Sequence, residues 1–328
     1  MNAVAGVQVH TDPDGRLHCW LATGHARGWL TPAAGAGAAV TGELFSSHLA
    51  AAMAEGFVAA DAAVLAMMAT HHPDVLPLLS WGEQPVLAAE PATQPRRLDL
   101  YAIVDSAERV SQVLQAGVTT LQLRIKTPEH ADARWFATLR GEVQRSVAAC
   151  DAAGAELFIN DHWQLAAEAG ARGVHLGQED LLALGDSGRA ALQATGMALG
   201  ISSHSLWELC RARTLGPRYI ACGPVWPTLT KAMPWRAQGL DNLAWWCSMA
   251  AAPVVAIGGI LEAAQVFDAA RCGADGICIV RGLGERPEAV LPALQAALDA
   301  GRKAAVRDPV IGAGLHPSLA VETESATG

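Results

Sequence analysis

Three short stretches of this chain concentrate side chains suited to holding an anion beside a hard cation. TLQLRIK (120–126) alternates apolar and polar residues, so an extended backbone sets Gln122, Arg124 and Lys126 on one face and Leu121, Leu123 and Ile125 on the other. Two cations on one strand face need an anion, or water, to offset burial. A solvated edge strand is the plain alternative. ELFIND (156–161) ends in Asn160 and Asp161, and GVHLGQED (173–180) delivers Gln178, Glu179 and Asp180. Mg²⁺ prefers oxygen ligands and often takes only one or two carboxylates, with phosphate oxygens and water filling the rest. Asp161 and Asp180 fit that arrangement. Helix N-capping competes for Asp161, because the helical pattern HWQLAAEAG begins directly after it.

A second group suits phosphate. The segment GPVWPTLTKAMPWRAQGL (223–240) carries three prolines and offers Thr228, Thr230 and Lys231 in close succession. Hydroxyls, turn N–H groups and an ammonium can surround a phosphate, and proline lowers the entropic cost of ordering such a loop. A stiff surface loop is the structural alternative. In AIGGI, Gly258 and Gly259 let backbone approach a ligand closely, with Val280 and Arg281 opposite. Ser202 in GISSHS could donate to a phosphate oxygen. His204 and His175 have no neighbouring acid in sequence and read as structural hydrogen-bonders. G-x-S-x-G, H-E-x-x-H and Walker A motifs are absent, which removes the serine hydrolase, zincin and P-loop readings.

Positioning these groups falls to a regular alternation. Strand-like runs occur at 98–105, 120–126, 156–161, 173–177, 197–203, 219–226, 253–260 and 276–283, separated by Ala/Leu-rich helical stretches that often end in Gly. Eight strand–helix units predict an α/β fold, the (β/α)8 TIM barrel, whose ligands collect at the carboxyl ends of its strands. A doubly wound open sheet is the rival, but LYAIVDSAER lacks the glycine-rich turn expected after its first strand. EPATQPRR marks a linker at 90–97. The expected organisation is a small, mainly helical segment (1–89), the linker, the barrel (98–303) and a mobile tail (304–328).

Composition excludes several classes. A net charge of −9 opposes affinity for nucleic-acid backbone or anionic membrane, and no apolar run reaches the roughly 20 residues of a membrane helix. The seven scattered cysteines form no C-x-x-C pair, so they read as reduced thiols of a cytoplasmic protein.

Taken in order, QLRIK, FIND, GVHLGQED, GISSHS, GPVWPTLTK, VVAIGGI and GADGICIV resemble the motifs of the thiamine-phosphate synthase family. That resemblance implies a TIM barrel, usually oligomeric, that uses Mg²⁺ to couple 4-amino-2-methyl-5-hydroxymethylpyrimidine diphosphate to a thiazole phosphate. Pyrophosphate is released, and CO₂ too where the thiazole is carboxylated. Gln122, Leu123, Arg124, Ile125, Lys126 and Asn160 would hold the pyrimidine and its diphosphate, with Ser202 and Lys231. Asp161 and Asp180 would bind Mg²⁺. Thr228, Leu229, Thr230 and Gly259 would hold the thiazole phosphate, and Val280 with Arg281 would close that site. Arg281 departs from the serine common in the family. Arg124, Lys126 and Lys231 would stabilise the departing pyrophosphate, and attack by the thiazole nitrogen needs no protein nucleophile. A thiazole tautomerase-like barrel would not need Asn160, Asp161, Asp180 or Lys231. A non-catalytic regulator binding the same phosphates is the other alternative.

Ahead of the linker, WLTPAAGAGAAVTGELFSSHLAAAMAEGFVAADAAVLAMMATHH reads as a glycine-rich turn followed by two helices, the first ending near Gly56. It resembles the C-terminal part of hydroxymethylpyrimidine-phosphate kinases. Ala38 stands where those kinases keep Asp or Cys, so a catalytically dead remnant is expected.

Overall fold

The computed structural model describes residues 6–13, 15–33, 41–86, 88, 97–228, 234–307 and 314–319. The expected linker therefore lies almost wholly outside the described residues, as does the glycine-rich turn that includes Ala38.

The N-terminal unit holds the two expected helices but is not purely helical. Three strands, β1 (Val7–Thr11), β2 (Leu17–Ala22) and β3 (Arg27–Thr31), precede the two helices α1 (Gly42–Ala54) and α2 (Ala59–His71), and a short β4 (Leu78–Leu79) follows. They form an antiparallel sheet in sequential order. In β2 the period-two pattern buries Leu17, Cys19 and Leu21 and turns the residues between them outward. The β1–β2 register is set by a tight turn, in which Asp12 accepts from the Arg16 N–H (2.8 Å) and the Gly15 N–H donates to the Asp12 carbonyl (3.0 Å). Phe45 and Leu49 of α1 pack into the unit. α2 is buried around nearly its whole circumference, through Ala60, Ala62, Ala63, Val64, Ala66 and Met67. A helix apolar on all sides must be covered on all sides.

The remaining strands are β5 (Asp99–Val104), β6 (Thr120–Leu123), β7 (Glu156–Asn160), β8 (Gly173–Leu176), β9 (Ala198–Ser203), β10 (Tyr219–Cys222), β11 (Val254–Ala256) and β12 (Gly276–Ile279). They pair in parallel and in sequence, and β12 returns to β5, closing an eight-stranded barrel. The interleaved helices are α3 (Ala107–Gln115), α4 (Ala133–Ala153), α5 (Trp163–Glu168), α6 (Gln178–Ala183), α7 (Gly185–Ala194), α8 (Leu206–Ala212), α9 (Gly239–Met249), α10 (Ala263–Arg271) and α11 (Pro287–Arg307). Four strands stop three or four residues short of the expected ends: β6 at Leu123, β10 at Cys222, β11 at Ala256 and β12 at Ile279.

Alternation divides each strand between two cores. Leu121, Leu123, Leu157, Ile159, Val174 and Leu176 face the helices, whereas Tyr101, Ile103, Phe158, Tyr219, Val255 and Cys278 fill the barrel. Large rings inside require small neighbours. A Cβ on Gly200 would lie 2.3 Å from the Tyr219 ring, and one on Gly173 would lie 2.7 Å from Phe158.

The outer core continues without a break into the N-terminal unit. α2 packs on α8, and polar bonds fasten the seam: the Trp81 indole donates to Thr214 Oγ1 (2.9 Å), Arg211 to the Arg27 carbonyl (2.8 Å) and Arg213 to the Leu76 carbonyl (3.1 Å). At the other end α11 runs past the expected barrel limit at 303. Residues 314–319 are also held, contrary to a wholly free tail: the His316 N–H donates to Asn242 (3.0 Å), and Trp235 bridges to Leu319.

Because one core spans both parts, deleting residues 1–96 bares α8. The thermal midpoint of the remaining barrel should fall by about 4 °C or more. An unchanged midpoint in a calorimetric scan would show that the unit adds nothing to barrel stability.

Candidate active site

A closed parallel barrel brings the carboxyl ends of all eight strands to one rim. That rim gathers Arg124, Asn160, Asp161, Ser202, Thr228, Gly259 and Val280 from the ends of β6, β7 and β9 to β12 and adds Asp180 from the start of α6. Leu229, Thr230 and Lys231 lie outside the described residues.

The expected set on the second barrel strand divides. Gln122 is buried within the barrel, Arg124 is half-buried just past the strand, and Lys126 is exposed. Leu123 and Ile125 pack into the outer core, so only their backbone could serve a ligand.

Beneath the rim a line of hydrogen bonds crosses the barrel. The Gln122 amide donates to the Tyr101 hydroxyl (3.1 Å), Tyr101 meets Tyr219 (2.6 Å), Tyr219 meets His175 Nδ1 (2.7 Å), and His175 Nε2 meets Ser202 Oγ (2.7 Å). Burial keeps both phenols protonated and pushes His175 down to about 3, aided by the charges of Arg124 and His204. The ring is therefore neutral and carries one proton. Each buried proton needs an acceptor, which fixes the direction of the line. Tyr101, already accepting from Gln122, donates to Tyr219, and Tyr219 donates to Nδ1. His175 then carries its proton on Nε2 and gives it to Ser202. The Ser202 hydroxyl proton is left to serve an acceptor at the rim.

Asp161 stands in the left-handed region (φ 64°), a conformation that costs a non-glycine residue roughly 1 kcal/mol. Its N–H donates to the His175 carbonyl (3.0 Å), and the next amides fold back: His162 N–H to Asn160 (2.8 Å) and Trp163 N–H to Asp161 (2.9 Å). α5 starts at Trp163 with His162 at its cap and no side chain capping it. The capping alternative thus fails, and the Asp161 carboxylate is not spent on the helix. Its pKa is raised, chiefly by burial and then by the charge of Asp180, against the lowering effects of Arg124, His162 and a hydrogen bond from Asn160. Asp180 Oδ2 accepts from the Gly177 N–H (3.0 Å). A carboxylate whose proton affinity is raised by a neighbouring carboxylate suits a shared cation. Among the described residues no three His, Cys, Asp or Glu side chains are grouped to hold a metal.

On the opposite rim, Gly258 (φ 93°) and Gly259 (φ 75°) lie against the loop that follows β10. Added Cβ atoms would come within 2.7 Å of Pro224 and 2.5 Å of Trp226. The Val225 and Trp226 N–H groups donate to Ile257 (2.8 Å) and Gly258 (3.1 Å). The glycines therefore let two rim loops cross in contact. Val280 opens a single 3₁₀ turn, and Val280 and Arg281 are both exposed.

Sequence reasoning missed three things. The tyrosines of LYAIVD and YIACG were counted only as strand formers, although their period-two positions direct them inward. Gln178 was grouped with the acids, yet it is buried and donates to Ser203 Oγ (3.0 Å) and the Glu208 carbonyl (3.1 Å). His204 does have an acid partner: Glu208, one helical turn on, accepts from its backbone N–H (2.6 Å) and lies 3.1 Å from its ring. Helical i, i+4 spacing was the available signal.

A family model described as thiamine monophosphate synthase matches residues 100–283. The thiamine-phosphate synthase of Neisseria meningitidis serogroup A is 46% identical over 206 residues, 62% of this chain and 95% of that relative. That of Rhizobium etli is 43% identical over 195 residues, 58% of this chain and 90% of the relative. Among solved structures, the thiamine phosphate pyrophosphorylase of Pyrococcus furiosus superposes with a TM-score of 0.53 at 27% identity, covering 62% of this chain and 97% of that one. The family match begins after the N-terminal unit, so the expected kinase likeness gains no support from it.

Removing one hydroxyl tests the buried line. Tyr219→Phe leaves Tyr101 without an acceptor and His175 without a donor, and should cost about 1–3 kcal/mol in urea unfolding. A loss below about 0.5 kcal/mol would mean that the line is not a connected unit.

Proposed function

This chain belongs to the thiamine monophosphate synthase family, and on that premise we propose that the barrel rim joins a pyrimidine diphosphate to a thiazole phosphate with Mg²⁺, releasing pyrophosphate. The observation that carries the site assignment is the carboxylate pair Asp161 and Asp180 beside Arg124, next to the proton that Ser202 presents.

In this reading Gln122, Arg124, Lys126, Asn160 and Ser202 hold the pyrimidine and its diphosphate, and the backbone of Leu123 and Ile125 lines the same side. Leaving of pyrophosphate builds negative charge on its bridging oxygen. Arg124, Lys126 and Lys231 lie on the segments that would meet it, and oriented cations stabilise such charge. Mg²⁺ held by Asp161 and Asp180 would add a divalent charge to the same oxygens. The acceptor's phosphate falls to Thr228, Leu229, Thr230 and Gly259, closed by Val280 and Arg281. Arg281, exposed in place of the family's serine, would bring charge to that phosphate where a hydroxyl would bring one hydrogen bond. Among the described residues no helix is long and apolar enough to cross a membrane, and both proposed substrates are small molecules.

The decisive measurement is pyrophosphate release on mixing both substrates with Mg²⁺. Release only when all three are present supports the reading, whereas a tautomerase or a regulator gives none. Lys231→Ala should lower kcat by about 10²-fold with little change in unfolding; turnover like the parent's at saturating substrate would remove Lys231 from the reaction.

Asp161 supplies a pH prediction. Its raised pKa makes protons compete with the cation above the usual carboxylate range, so Mg²⁺ affinity falls as pH drops through that pKa. Titration of the metal-free protein by carboxyl-resolved NMR should place Asp161 above about 3.9, the ordinary Asp value, and Asp180→Asn should bring it down. A value that does not respond to Asp180 would separate the two carboxylates.

A further inference from the structure

We propose that Asp61, a carboxylate of the N-terminal unit, is a positioning residue for the joining reaction, holding the first turn of α8 and through it the Ser202–His204 rim segment and Gln178.

The start of α8 must satisfy its own amides. The Leu206 and Trp207 N–H groups both donate to Asp61 Oδ1, at 2.8 and 3.1 Å, and the Glu208 N–H donates to Ser205 Oγ (3.4 Å). Leu206, Trp207, Glu208 and Asp61 are all buried, so water has little access to replace the carboxylate. An uncapped buried helix end is costly, and its first turn is where that cost is relieved by movement.

That turn lies directly behind the rim. Only His204 and Ser205 separate the end of β9 from α8. Once α8 is fixed, Glu208 holds the His204 backbone and ring, Gln238 donates to the His204 carbonyl (2.6 Å), and the ring stacks on Trp235 at 5.1 Å. The Glu208 carbonyl and Ser203 Oγ together accept the Gln178 amide, two residues before Asp180. Asp61 is thus connected to both sides of the diphosphate region without touching it. In the Neisseria meningitidis relative, covered to 95% of its length, the match leaves no room for such a unit.

Burial, opposed by the two amide bonds and reinforced by Glu208, pushes Asp61 up to about 7. Both amides use the same oxygen, which accepts in either protonation state. The acceptor atom does the holding, and asparagine can supply one.

The inference rests on Ser202 facing the diphosphate, so Ser202→Ala is measured alongside. In the full-length protein, Asp61→Ala should raise KM for the pyrimidine diphosphate about fivefold and leave KM for the thiazole phosphate unchanged, while Asp61→Asn restores it. A variant that loses thermal stability while keeping both KM values and kcat would overturn the positioning role. If Ser202→Ala itself leaves the diphosphate KM unchanged, the site assignment has failed instead. Amide hydrogen exchange on the wild type decides the matter if the alanine variant does not fold. The Leu206 and Trp207 amides should be protected as well as the body of α2, and rapid exchange there beside a protected α2 would overturn the proposal.

Discussion

A closed barrel has an interior from which water is excluded, and every polar group placed inside must find its partner there. In this chain five side chains from five strands meet that constraint together, from Gln122 through Tyr101, Tyr219 and His175 to Ser202. The glycines at 173 and 200 make room for the rings, burial holds the histidine neutral, and the direction of each bond follows from the Gln122 amide at one end. The rim inherits this order: the last member of the line is already oriented before a substrate arrives.

The barrel was legible because its alternation is strong. Leu121 and Leu123 against Gln122, or Leu157 and Ile159 against Phe158, announce two faces that a parallel barrel with an outer helical layer must bury separately. Strand ends were less legible. β6 stops at Leu123, so Arg124 and Lys126 gain their place from the loop rather than from strand period. The acids at 161 and 180 were readable as a pair, yet the left-handed turn at Asp161 that frees its carboxylate is a backbone property with no glycine to signal it. The inward direction of Tyr101 and Tyr219 follows from strand period, but their pairing across 118 residues leaves no local pattern.

The small sheet of the N-terminal unit was less legible for a different reason. Its helices carry an obvious Ala-rich pattern, while its strands are short and their period-two signal spans only five or six residues each. LHCWLA and the D-P-D-G turn before it were sufficient to suggest a hairpin. What sequence could not disclose is that α2 has two packing partners, since an all-round apolar helix says that it is covered but not by what.

That double cover has a consequence for how the chain comes into being. During synthesis the unit emerges before the barrel, but the amides that bond Asp61 follow 145 residues later. At ordinary elongation rates the second face of α2 stays open for roughly seven to thirty seconds. A unit made before the barrel is therefore finished only after α8 is made, and while it waits it presents the apolar surface that chaperones recognise.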